Sequence, residues 1–278
     1  MSEPSPYERQ AAEDIRRWKH RGERGWGKIA RIVSWPLDRA GDLVMATPGV
    51  GWAIEKSVGG IVSLVNEASQ WSVRPEAIYE DYRAKGDQVR RPGDIGNLDL
   101  SSVDRAIGAL KAKYLVMAAA EGAAAGAIGL PGIPPDIIAL TGLSLRAVGE
   151  YASYCGFDIQ LQHERLYAMH LLGLGAADKA AAKSAAIGEL AKIARAAAGK
   201  KTWEELQRSA LVKVMQQIAK ALGIRLTKAK LAQIAPVAGA LVGAGFNSYF
   251  VGAVCDASYH LYRERFLAER YGVSMISD

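Results

Sequence analysis

Apolar residues recur along most of this chain at spacings of three and four, the pattern that is typical of amphipathic α-helices. Residues 7–20 show it first, with Ala11, Ile15 and Trp18 set among charged positions. The alternation of single apolar and polar residues that marks a strand is not seen. The pattern therefore predicts an all-α protein, with further helices over 37–66 (two helices, broken at 47–49), 163–174, 202–222 and 230–270.

A helical hairpin is predicted in the middle of the chain. Residues 103–128 have a helical pattern rich in alanine and glycine, preceded by N-cap residues at 101–104 and by a Gly- and Pro-containing loop at 85–99. The sequence LPGIPP at 130–135 ends this helix, and Pro135 suits the first position of the returning helix. That helix is expected to run to about Cys155, with Gly156 as its C-terminal cap.

Residues 234–255 carry no charge over 22 positions, which is long enough to cross a hydrocarbon layer of about 30 Å. Pro236 and Asn247 argue against such a span, because lipid cannot satisfy the polar groups that they leave. We therefore predict that this helix is buried in protein, with Asn247 hydrogen-bonded to another helix. Small residues four apart, Gly122/Gly126 and Gly239/Gly243, predict a close crossing of the two apolar segments.

Composition sets further limits on the class of protein. Of 278 residues, 50% are hydrophobic and 23% charged, which excludes bulk disorder, and two cysteines cannot form a disulfide scaffold. The net charge is +6, but residues 176–233 alone contain twelve cations and four anions, and residues 16–31 contain seven cations and one anion. These basic stretches predict a surface for membranes or other anions, comprising Arg16, Arg17, Trp18, Lys19, Trp26, Lys228 and Lys230.

Several blocks of sequence resemble the EcsC family of bacterial proteins. They are Tyr7-Glu8 through Trp18-Lys19, Pro134-Pro135-Asp136-Ile137, residues 146–158 (RAVGEYASYCGFD), Glu164, residues 234–240 with 245–247, Ala257, and residues 262–266 (YRERF). The resemblance implies an all-helical, membrane-associated protein with no well-established catalytic residues. We expect one compact multi-helix bundle around the hairpin, with a basic amphipathic N-terminal region at 1–36 and an EcsC-like helical domain at 37–278.

Polar residues inside the apolar segments are the candidates for chemistry. For a lipid-binding pocket they are Glu121, Asp136, Arg146, Glu150 and Asn247, and for catalysis they are Asp136, Glu150, Asp256 and His260. The alternative for all of them is structural, because buried polar groups need hydrogen-bond partners in any fold. Arg146 and Glu150, four apart on a helix, are expected to pair. No zinc spacing, nucleophile elbow or phosphate-binding loop is present, so neither a metal nor a cofactor is predicted.

The sequence leaves two functions open. The first is a non-enzymatic, peripheral membrane-associated protein that binds lipid or an anionic membrane surface. The second is a hydrolase that acts on a lipid or phosphoester with buried acidic residues. The expected partner is an anionic membrane lipid or a lipid ligand, a membrane protein is a second candidate, and nucleic acid is the least favoured. The polar N-terminus lacks a signal peptide, which predicts a cytoplasmic protein at the inner face of the membrane.

Overall fold

The computed structural model describes residues 3–20, 48–66, 72–126, 130–175, 186–188, 190–194, 227 and 239–272, and this part of the chain contains helices and no strand. The prediction of an all-α protein is confirmed. The helices are α1 (Pro6–His20), α2 (Val50–Asn66), α3 (Pro75–Ala84), α4 (Pro92–Ile95), α5 (Leu100–Ile107), α6 (Leu110–Gly126), α7 (Ile133–Tyr154), α8 (Gln162–Gly175) and α9 (Gly239–Tyr271). The helix predicted over 202–222 lies outside the described residues.

The predicted hairpin is present as α6 and α7, joined by a 3₁₀ turn at Leu130–Gly132. Its predicted bounds need correction. The predicted helix 103–128 is two helices, because Gly108 has a φ of +50° and ends α5. The N-cap of α5 is Asp99, whose side chain accepts a hydrogen bond from the Ser101 backbone N–H at 2.8 Å. The predicted loop at 85–99 also contains α4.

The C-terminal end of α7 follows the prediction closely. Gly156 has a φ of +84°, its N–H donates to the Ser153 carbonyl, and the Phe157 N–H donates to the Ala152 carbonyl. These two bonds form a Schellman motif, which requires the left-handed backbone that glycine adopts without strain. A Cβ at this position would also lie 3.0 Å from the Pro92 carbonyl oxygen, so Gly156 lets α4 approach the end of α7.

Helix α9 forms the centre of the bundle. Its contact with α6 is the most extensive between any two of the described helices, and it also contacts α7, α8 and α1. Asn247 is fully buried and donates to Asp136 Oδ1 on α7 at 3.0 Å, which confirms the predicted interhelical bond. The observed close approach is at Gly252, where a Cβ would lie 3.2 Å from Leu115 Cδ2. The crossing at Gly122/Gly126 and Gly239/Gly243 stays a prediction.

Helix α1 packs its buried face, Ala11, Ala12 and Ile15, into the same hydrophobic core, mainly against α9 and α5. Its start is a capping box: the Ser5 N–H donates to Glu8 Oε2 and the Glu8 N–H donates to Ser5 Oγ. The proposed domain boundary at residue 36 lies outside the described residues. Within the described part of the chain, none of the helices combines the length and the apolar character that crossing a bilayer requires.

Candidate functional site

A groove of about 630 Å³ opens where α2, α6 and α7 meet. Residues four apart on α7 supply its floor, since they share one side of that helix. The α6 wall comes from positions 117, 120 and 121, and α2 contributes Leu64. The full lining is Leu64, Ser72, Met117, Ala120, Glu121, Ile138, Ala139, Gly142, Leu143 and Arg146. Most of these side chains are apolar, so the groove suits a hydrocarbon rather than a polar ligand.

Two charged residues, Glu121 on α6 and Arg146 on α7, line this groove. Arg146 is partly exposed and donates from Nε to Glu150 Oε1 at 3.4 Å, which confirms the predicted pair. Glu150 Oε2 in turn accepts from Lys113 Nζ at 2.8 Å, so one carboxylate holds two cations of α6 and α7. Neither Nη group of Arg146 makes a hydrogen bond to any residue that the structure describes. Arg146 can therefore donate two further bonds to an oxyanion without giving up Glu150.

Only part of the predicted lipid-binding set belongs to the groove. Glu121 and Arg146 line it, and Glu150 orients Arg146. Asp136 and Asn247 bond to each other between α7 and α9 and do not line the groove. Sequence reasoning missed the apolar lining, which depends on how three helices diverge and has no local signature.

A second, smaller cavity of about 290 Å³ lies between α1 and α9. Trp18 and His260 stack in it with ring centroids 4.8 Å apart, and Arg17 lines its edge. Arg263 also lines it and donates to Asp104 Oδ2 at 2.7 Å. Burial raises the pKa of the Asp104 carboxyl, and the nearby Arg263 opposes that rise. Of its lining residues, Trp18 and His260 pair across the interface between α1 and α9, while Arg17 pairs with Asp14 within α1.

Each of the four catalytic candidates has its own partner in the described structure. Asp136 bonds to Asn247, Glu150 holds Lys113 and Arg146, Asp256 accepts from Lys111 Nζ at 2.7 Å, and His260 stacks on Trp18. Within the described residues, no group of three His, Cys, Asp or Glu side chains could hold a metal ion. Asp256 and His260 lie four residues apart on α9, so they are neighbours on the surface of that helix. A catalytic role for these residues stays a prediction.

The buried polar residues of the EcsC-like blocks pair across helices. Arg265 donates from both Nη groups to the two Glu164 oxygens at 2.7 and 2.6 Å, between α9 and α8. Glu8 accepts from the Tyr271 hydroxyl at 2.7 Å and so ties α1 to the end of α9. Sequence reasoning missed this use of Glu8. Its spacing of three residues from Ser5 is the capping-box signature, which signals the start of α1 and not the bond to Tyr271. These residues hold the helices in register.

The predicted anion surface is only partly described. Arg16 is partly exposed, Arg17 is exposed and pairs with Asp14, and Lys19 forms an ion pair with Glu264 of α9. Burial raises the pKa of the Glu264 carboxyl, while Lys19 lowers it. Trp26, Lys228 and Lys230 lie outside the described residues. On α1, therefore, Trp18 and Lys19 contribute to helix packing.

Comparison with known proteins places this architecture in a family. The sequence profile of the EcsC protein family matches residues 9–267, from within α1 to near the end of α9. The chain is also similar to the uncharacterized protein YdbA of Bacillus subtilis (strain 168), with 26% identity over 271 residues, covering 94% of this chain and 93% of that protein. No solved structure matches the chain significantly.

Proposed function

This chain belongs to the EcsC protein family, and we propose that it is a non-enzymatic, peripheral membrane protein that binds a phosphate-bearing lipid at the inner face of the membrane. The observation that carries the proposal is the groove between α2, α6 and α7, whose apolar lining leads to the guanidinium of Arg146. A lipid has the matching chemistry, with a hydrocarbon chain next to an oxyanion. The predicted basic stretches at 16–31 and 176–233 would add attraction to an anionic membrane surface.

The chain of the lipid supplies most of the affinity in this proposal. Each methylene removed from water contributes about 0.8 kcal/mol, so six buried methylenes contribute roughly 5 kcal/mol. A half-exposed ion pair contributes about 0–1 kcal/mol. Arg146, with 35% of its side chain exposed, therefore selects and orients the headgroup, while Leu64, Met117 and Leu143 provide binding energy.

The glycine at the groove floor offers a test with a matched control. A Cβ at Gly142 would meet only Leu64, at 3.8 Å, so Gly142→Ala fits without strain. Gly142→Leu places a branched side chain in the groove and competes with the lipid chain. The probe is lysophosphatidylglycerol, a single-chain anionic phospholipid, titrated below its critical micelle concentration by isothermal calorimetry.

We expect the parent and Gly142→Ala to bind the probe, and Gly142→Leu to lose binding while it melts cooperatively like the parent. Arg146→Gln should weaken binding of the phospholipid but not of a monoacylglycerol, which has no phosphate. The proposal fails if the parent does not bind the phospholipid, or if Gly142→Leu binds it as tightly as Gly142→Ala does.

A further inference from the structure

Helix α6 is apolar around nearly its whole circumference. Between Tyr114 and Gly126, Glu121 is the one charged residue. Tyr114 and Ala118 are fully buried, and Leu115 packs near Gly252 of α9. A helix at the surface of a water-soluble domain normally places charged or polar residues on its outer side. On α6 the inner side meets the core, but the outer side carries almost no charge.

The outer side of α6 is exposed in the described structure. Val116 has 70% of its surface accessible and Met117 has 37%, the former being the most exposed large apolar residue in the described chain. The other apolar residues exposed on this side are alanines. We name the exposed set Ala112, Val116, Met117, Ala120, Ala123 and Ala124 the α6 face. It extends over about three turns. Its charged neighbours are Lys113, which is exposed at the N-terminal end, and Glu121, which is partly exposed and lies four residues after Met117.

We propose that the α6 face lies against the surface of the lipid bilayer, with the helix axis in the membrane plane. This inference rests on the proposed function and adds the orientation of the protein on the membrane. Met117 and Ala120 belong both to the α6 face and to the lining of the groove, so the two apolar surfaces are continuous. A lipid chain in the groove therefore has an apolar path to the bilayer that does not cross water.

The cations beside the α6 face support lipid as the partner of this surface. Lys113 and Arg146 lie toward the N-terminal end of α6, both held by Glu150, where they can meet lipid phosphates. A helix that lies in the interface buries its apolar side by about 5–10 Å while cations contact the headgroups. Helix α6 cannot enter more deeply, because its other side packs along α9 and α7.

Composition argues against a protein partner at the same place. The centres of protein interfaces are enriched in aromatic residues, arginine and methionine and depleted in alanine, and aromatic residues and arginine dominate the binding energy. The α6 face has no aromatic residue and no arginine, one methionine at Met117, and four alanines among its six residues. Contact with lipid makes no demand on the shape of the surface, because hydrophobic transfer is non-directional and roughly proportional to the apolar area removed from water. A second copy of this chain is the competing occupant, and the experiment below distinguishes it.

The test uses one substitution on the α6 face and a matched one elsewhere. Val116→Glu places a charge on this face at a position that is already exposed. Leu161→Glu makes the same kind of change at a 47% exposed position, in the turn before α8. Both variants should keep the parent's melting temperature, because exposed substitutions usually change stability by less than about 0.5 kcal/mol. Binding is measured by flotation with vesicles of equal parts phosphatidylglycerol and phosphatidylcholine.

We expect the parent and Leu161→Glu to float, and the partition coefficient of Val116→Glu to fall at least about tenfold. A second measurement labels Val116→Cys and Leu161→Cys variants with an environment-sensitive nitrobenzoxadiazole dye; the native thiols Cys155 and Cys255 are buried and should not react. Emission from position 116 should shift to the blue when vesicles are added, and emission from position 161 should not.

The measurements separate a wrong orientation on the membrane from a failure of the proposed lipid binding. If the parent binds lysophosphatidylglycerol in its groove but Val116→Glu floats as well as the parent, the orientation is wrong and the proposed lipid binding stands. If the parent does not float at all, the inference and the membrane part of the proposed function both fail. If the parent is a dimer without lipid and Val116→Glu makes it a monomer, the α6 face is an interface between copies and the inference is overturned.

Discussion

The buried pair of Glu164 and Arg265 tests whether the polar residues of the EcsC-like blocks are structural. Glu164 is 2% exposed, and the Arg265 guanidinium lies 4.0 Å from the Phe157 ring centroid and 4.5 Å from that of Tyr167. Burial lowers the pKa of Arg265, but the hydrogen bonds and charge of the Glu164 carboxylate outweigh it and raise that pKa, so this guanidinium stays charged over the accessible pH range. The perturbations are Arg265→Met, Glu164→Leu and the double variant.

Removing one partner leaves the other buried charge without its hydrogen-bonded counterion, which typically costs about 3–5 kcal/mol. For a chain of 278 residues the entropy of unfolding is roughly 0.6 kcal/mol per kelvin, so each single variant should melt roughly 5–9 °C below the parent. The double variant removes both charges and places apolar side chains against Phe157, Tyr167 and Tyr262. It should therefore lose much less than the sum of the two single effects.

The assay is urea denaturation of the parent and the three variants, analysed as a double-mutant cycle. Asp14→Asn is the control, because it breaks the exposed Asp14–Arg17 pair and should cost less than about 1 kcal/mol. Single variants that each cost under 1 kcal/mol, with additive effects in the double variant, would refute the structural interpretation of this pair.

Three further outcomes are expected. Gly156→Ala should lose about 1–3 kcal/mol in urea denaturation, because it combines a φ of +84° with a Cβ 3.0 Å from the Pro92 oxygen, whereas Gly142→Ala should lose nothing. Asn247→Leu should cost about 1–3 kcal/mol by removing the donor to Asp136; a parent-like melting temperature would contradict this. Burial raises the pKa of all eleven tyrosines in the folded protein. The unfolded chain therefore releases its phenolic protons at lower pH, so the free energy of unfolding should fall as pH rises above about 10. Absorbance near 295 nm, which reports tyrosine ionisation, should rise together with unfolding rather than before it.

Local signals predicted much of the fold. Helical spacing predicts α1 and α8, and the Pro and Gly residues around 130–135 and at 156 predict both ends of α7 to within a few residues. Asn247 was predictable as a buried, interhelical hydrogen-bond donor, because a polar side chain in an apolar helix has to find a partner. The helix end at Gly108 was not predictable, because an isolated glycine inside a helical pattern is usually tolerated. Its φ of +50°, which ends α5, is visible only in the structure.

The candidate site was less accessible to sequence reasoning. Arg146 and Glu150 are close in sequence, so their pairing could be predicted from helical spacing. The groove beside them depends on the divergence of α2 from the hairpin, and the α6 face depends on which side of α6 the bundle leaves uncovered. When a helix has apolar residues on all sides, its sequence does not show which side packs against the rest of the protein.

The central claim is that the groove holds a lipid, and mass spectrometry of the purified protein tests it most directly. The parent, Gly142→Ala and Gly142→Leu are purified without detergent from the same host, and their bound lipids are extracted and quantified per mole of protein. We expect about one equivalent of phospholipid with the parent and with Gly142→Ala, and at least about a tenfold reduction with Gly142→Leu. Equal lipid content in Gly142→Leu, or no phospholipid with the parent, would contradict it.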